Sequence, residues 1–169
     1  MNKKKIVSSI SAAGFLALLS TTAVADDKSF PGGVCFQTGT SGTLARFGGS
    51  ILNSSSTSEL SVQCPVVRDN PAQTFAANQI AFDVFDRNGA GISVACNLCN
   101  EVGTAAGIST SCSSVVTSAA GASTGVQTLL VPTPPGNLGG AQYSYATCSI
   151  PRSHNGQFSH LARVWFNEP

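Results

Sequence analysis

Charge is scarce in this chain: Asp, Glu, Lys and Arg make up 10% of its 169 residues. Three of the nine basic residues, Lys3, Lys4 and Lys5, sit together at the N-terminus, and the other six are scattered. Nucleic-acid binding requires a clustered basic surface, so this distribution argues against it. With two histidines, His154 and His160, only those two could serve as the base of a Ser-His hydrolase, and no Gly-x-Ser-x-Gly elbow is present. No window after residue 25 repeats apolar residues at a 3.6-residue period between capping residues, which excludes a helical domain. The one continuous apolar stretch near the start, Ala12 to Leu19, is far shorter than the ~20 residues a membrane-spanning helix needs.

What the chain does have begins with that N-terminus. Three lysines, a short apolar middle and Ala23-Val24-Ala25 match a cleaved export signal over residues 1–25, of a bacterial kind. The residue immediately after the expected cut is Asp26 rather than a cysteine, so no lipid anchor is indicated, and no membrane span is expected in the mature form. Removing the signal leaves six basic and eight acidic residues, a net charge of −2. Ser, Thr, Asn, Gln and Gly are abundant, so the surface is expected to be polar but mostly neutral.

All six cysteines lie after the cut. An even count in an exported chain reads as three disulfides, for which 15 pairings are open. Residues Cys64 and Cys148 both fall on inward strand faces, which favours pairing Cys64 with Cys148, then Cys96 with Cys112 and Cys35 with Cys99. The Cys96-Asn97-Leu98-Cys99 spacing also occurs in redox and metal sites. Here it ends a strand rather than opening a helix, Asn100 stands where haem attachment needs His, and zinc would need a second ligand pair. No metal or cofactor is expected.

The stretch Gln79 to Cys99 alternates strongly. Ile80, Phe82 and Val84 share one face and Ile92, Val94, Cys96 and Leu98 another, with Asp86 to Gly91 between them rich in turn-forming residues. This predicts the central hairpin of an all-β domain. The calcium-loop echo in Asp83, Asp86, Asn88 and Gly89 lacks the terminal Glu, since the twelfth residue from Asp86 is Asn97. Further strands are predicted in Leu44 to Asn53, with a bulge at Gly48-Gly49, and in Leu60 to Arg68, with Pro65 marking an edge or bulge. The others are Gly125 to Val131, Ala141 to Ile150 and Phe158 to Phe166. Turns are expected at Asp69-Asn70-Pro71 and Pro132 to Gly140, and a long loop stapled by Cys112 over Glu101 to Gly125.

Seven or eight short strands point to a disulfide-stabilised antiparallel β-sandwich, immunoglobulin-like or jelly-roll-like. It would span residues 44–169, behind an N-terminal arm at residues 26–43 held by Cys35. Cys64-Pro65-Val66-Val67-Arg68-Asp69, Cys96-Asn97-Leu98 and Tyr145-Ala146-Thr147-Cys148-Ser149-Ile150-Pro151 resemble a pattern in small exported all-β proteins of Gram-negative bacteria. The resemblance covers roughly residues 44 to 168 and implies export and a β fold, but no activity. Cys35 and Cys99 are not expected in every such protein.

No catalytic constellation stands out. Asp69, Asp83, Asp86, Glu59 and Glu101 could supply paired carboxylates, but turn and surface roles account for each. If Ala146, Cys148 and Ile150 point inward, Tyr143 and Tyr145 point outward, and Trp165 is expected to share a face with Leu161 and Arg163. Tyr143, Tyr145 and Trp165 are therefore the candidate ligand face, though such rings also serve as core cover. The expected role is a secreted, periplasmic or outer-surface, non-catalytic binding or structural module; its partner is not legible in the sequence, and a carbohydrate or another surface protein are the candidates. Two rivals are a fimbria-like assembly subunit, which accepts a partner's strand, and a hydrolase of wall or matrix polymers.

Overall fold

A computed structural model describes residues 26–67, 80–89, 91–119, 125–134 and 142–168. The export signal, the Asp69-Pro71 turn and most of the loop up to Gly140 lie outside the described residues. The rest is an antiparallel β-sandwich of two six-stranded sheets. Sheet A contains β1 (Asp26–Pro31), β3 (Leu44–Phe47), β4 (Ser50–Asn53), β6 (Ile80–Phe85), β10 (Gln127–Val131) and β12 (His160–Glu168), ordered β10-β6-β12-β4-β3 with β1 also on β12. Sheet B contains β2 (Phe36–Gln37), β5 (Leu60–Val66), β7 (Ala95–Thr104), β8 (Gly107–Cys112), β9 (Val116–Thr117) and β11 (Gln142–Ile150), ordered β2-β5-β11-β7-β8 with β9 on β7.

The period-two pattern places the core as expected. Leu60, Val62, Cys64 and Val66 of β5, and Ala146, Cys148 and Ile150 of β11, are buried and meet Ile80, Phe82, Val84, Leu161, Val164 and Phe166 of sheet A. Pro65 stands where β5 has no second neighbour, because β2 pairs only with Gln63 and Val62, so its missing N–H interrupts no ladder there.

Five expectations are corrected. The residues Gln79 to Cys99 are not a hairpin: β6 belongs to sheet A and β7 to sheet B, and the chain crosses the sandwich between them. The physical reason is Asp86, fully buried rather than solvated at a turn tip. Its carboxylate accepts hydrogen bonds from Ser118 Oγ, from Ser159 Oγ at 3.0 Å, from the Asn88 N–H at 3.0 Å and from the Val94 N–H at 3.3 Å. A buried carboxylate is tolerated when its lone pairs are all met in this way.

Residues 26–43 are not a separate arm. β1 runs antiparallel along β12 from Asp26 opposite Glu168 to Pro31 opposite Arg163, and Phe30 stacks on Phe166 with ring centroids 5.8 Å apart. The chain then passes β12 so closely that a Cβ on Gly32 would lie 2.1 Å from the Leu161 carbonyl oxygen, so only glycine fits. Within Leu44 to Asn53, Gly48 and Gly49 form no bulge. Both adopt positive φ, 54° and 86°, and make the two-residue turn of a β3–β4 hairpin. In the expected Glu101 to Gly125 loop, β7 continues to Thr104 and β8 returns beside it, placing Cys112 opposite Cys99. Low apolar content concealed this hairpin because β8 is an exposed edge strand with little to bury.

The disulfide pairing differs in all three bonds: Cys35–Cys64, Cys96–Cys148 and Cys99–Cys112. Cys64 and Cys148 do both point inward, but Cys148 is opposite Cys96 in the β11–β7 ladder while Cys64 is opposite Ala146. Sharing a face was a weaker criterion than being register partners. All three bonds join strands of sheet B or fasten its β2 edge; none links the two sheets. Sulfur cross-links of this number fit an oxidising, extracytoplasmic environment, and among the described residues no helix is long and apolar enough to cross a membrane.

Replacing both Cys96 and Cys148 by Ala is expected to lower the unfolding free energy by about 2–5 kcal/mol in urea titration. Asp86→Ala is expected to cost about 3 kcal/mol by the same measurement, since it removes the buried acceptor on which four donors converge, whereas Asp86→Asn retains part of the network and loses less.

Candidate ligand-binding face

Residues directly opposite in a ladder point to the same side of the sheet, so the register builds each outer face row by row. On sheet B, Phe36, Gln63, Thr147 and Asn97 form one row across β2, β5, β11 and β7. Pro65, Tyr145, Cys99 and Cys112 form the next, and Tyr143, Glu101 and Thr110 a third. On the other side of the Phe36 row lie Ser61, Ser149 and Ala95. Along β11 the outward residues Tyr143, Tyr145, Thr147 and Ser149 make a track roughly 20 Å long.

Three aromatic rings border this track. Tyr143 is 50% exposed and Phe36 46% exposed, while Tyr145 is half-buried between its neighbours. The two tyrosine rings lie 5.8 Å apart, tilted by 32°. Tyr145 donates its hydroxyl to Glu101 Oε1 at 3.0 Å. Burial first, then the hydrogen bond to Glu101 and its negative charge, hold the Tyr145 phenol above its ordinary pKa, so it remains a donor. Thr147 donates to Asn97 Oδ1, and Ser149 to Glu59 Oε2 at 2.9 Å. Each of these hydroxyls retains acceptor capacity. A groove of about 390 Å³ opens over this polar part, lined by Thr38, Ser61, Ala95, Asn97, Thr147 and Ser149 among others, with the exposed Val115 at its side. No lysine or arginine occurs in any strand of sheet B.

Trp165 does not join the tyrosines. It belongs to β12, and its ladder partners Ala81 and Ser29 put it on the outer face of sheet A, on the opposite side of the sandwich. Nor does it share a face with Leu161. A bulge between Leu161 and Arg163 shifts the alternation, burying Leu161 while Arg163 and Trp165 face outward. Arg163 there binds Asp83, with Nε 2.6 Å from Oδ2, and Thr128 donates to the other Asp83 oxygen at 2.8 Å. The carboxylates weighed from the sequence are thus dispersed: Asp83 outside sheet A, Asp86 in the interior, Glu59 and Glu101 outside sheet B, and Asp69 outside the described residues. His154 lies in the turn closed by its backbone pairing with Gln157, and His160 packs edge-on to Phe85 at 6.2 Å.

Sequence reasoning found Tyr143 and Tyr145 but missed Phe36, Asn97, Thr147 and Ser149. The alternation of Ala141 to Ile150 already assigned Thr147 and Ser149 to the tyrosine side. Phe36 could not be found that way, because its place depends on a two-residue pairing with β5. No protein-family model matches the chain, and no curated protein matches it either.

On the other face, partial burial and then the nearby Arg87 charge hold His160 below its ordinary pKa of 6.5. The folded state therefore binds this proton less readily than the unfolded chain. The contribution is fully present above pH 6.5 and is lost as pH falls from there through the depressed value. An NMR titration is expected to find the His160 midpoint below 6.5, and thermal melts of His160→Gln are expected to lose less stability than wild type on acidification across that window.

Proposed function

We propose that the chain is an exported, non-catalytic module that binds neutral glycans on the outer face of sheet B. The observation that carries this reading is the joint presence on one face of three rings, Phe36, Tyr143 and Tyr145, and the polar groups of Gln63, Asn97, Thr147 and Ser149, with no cation among its strands. Ring faces pack against the C–H faces of pyranoses, and the amides and hydroxyls match sugar hydroxyls as both donors and acceptors. The absence of lysine and arginine favours uncharged sugars over acidic ones. A sandwich with its ladders fixed by disulfides presents these groups with little ordering cost on binding.

Export rests on the pattern of residues 1–25 and on the disulfides; the tri-lysine start favours a bacterial source, with the mature protein in the periplasm, on the outer surface or in the medium. A second reading, a polymer-forming subunit, is favoured by β1, which begins directly after the expected cut and pairs along the C-terminal strand β12. A neighbour's β1 could occupy the same place.

A neutral-glycan array probed with the purified exported protein is expected to give binders, and Tyr143→Ala and Phe36→Ser are each expected to weaken them by about three- to tenfold in calorimetry. Binding only to acidic glycans, or binding unaffected by both substitutions, overturns the assignment. Laddered species on sizing columns would support the subunit instead.

A further inference from the structure

The outer face of sheet A has a different chemistry, concentrated at one end. The β3–β4 turn, the end of β6 and the start of β12 enclose a concavity of about 300 Å³ lined by Phe47, Gly48, Ser50, Phe85, Arg87 and His160. Two of its features have no role in the sandwich. Phe47 is 72% exposed at a hairpin tip, with its ring open to a ligand at the rim of the concavity. Arg87 is exposed, and among the described residues its guanidinium has no ion-pair partner. The adjacent carboxylate, Asp86, is turned into the core and occupied by four donors.

We propose that this concavity is a second site, independent of the glycan face, that binds a small aromatic carboxylate. The ligand ring lies against Phe47 and Phe85, and its carboxylate takes the Arg87 guanidinium, whose planar fork of donors suits two carboxylate oxygens. The Phe85 and His160 rings already meet at 65°, so the far wall is preformed. His160, neutral at pH 7 because its pKa is depressed, adds a polar ring edge without a second fixed charge. The volume lies at the lower end for small-molecule sites of roughly 300–1,000 Å³, which limits the ligand to one ring with a short acidic arm.

Calorimetric titration of the protein purified after export, with phenylacetate, phenylacetamide and acetate as probes, tests this. Phenylacetate is expected to bind saturably, with both the amide and acetate weaker by roughly tenfold or more. Arg87→Gln is expected to reduce phenylacetate affinity by about tenfold, and Phe47→Ser by about three- to tenfold, with melting temperatures unchanged because both side chains are exposed. Absence of saturable phenylacetate binding, equal binding of the amide, or an unchanged Arg87→Gln titration overturns the site. Neutral-glycan binding is expected to be untouched by either substitution, which separates the two faces.

Discussion

The crossing from β6 to β7 depends on one buried carboxylate. Asp86 ends a strand of sheet A, and its bonds reach Ser159 just before β12, Val94 just before β7 and Ser118 just after β9. Both sheets are therefore registered against the same two oxygen atoms. An anion in an apolar interior is unfavourable unless hydrogen-bonded, and here the donors converge on it from four places in the chain. The requirement works in both directions: the donors need the acid, and the acid dictates where the segments must come together. Asn53 has a similar part on the other side of the sandwich. It is fully buried, donates to the Ser58 and Ile150 carbonyls and accepts from the Thr43 and Ser55 N–H groups, joining the β4 end to the end of β11.

Much of the architecture was legible from alternation alone. The inward faces of β5, β6 and β11, the strand class and the oxidised cysteines follow from residue type and period, because a half-buried strand leaves a local signature. What was not legible was non-local. Asp86-Arg87-Asn88-Gly89 has the composition of a tight turn, and nothing in those four residues says that the acid folds inward to meet Ser118 and Ser159. The cysteine partners were hidden for a related reason: the inward direction of Cys64, Cys96 and Cys148 is a local property, whereas ladder register is a global one. Trp165 was misplaced by a single inserted residue, since a bulge reverses the alternation for everything beyond it.

The candidate face shows the same division. Tyr143 and Tyr145 were found because they alternate with buried residues in one strand. Phe36 joins them only through a pairing of two residues, and Asn97 only through the β11–β7 register. Faces of this kind are assembled from several strands, and each strand contributes too little to be conspicuous in sequence. The two outer faces also differ in kind: one has no lysine or arginine in its strands and is bordered by rings, the other carries Arg87, Arg163, Asp83 and His160.

All the sulfur cross-links fall within one layer. Cys35–Cys64, Cys96–Cys148 and Cys99–Cys112 fasten neighbouring strands of sheet B, while sheet A is held by ladder bonds and packing. The molecule is a laminate with one stiff ply and one compliant ply. When the shared core is lost, the strands of the first ply stay tied to their neighbours by sulfur and those of the second do not. The unfolded chain is thus held together around the strands that carry the candidate face.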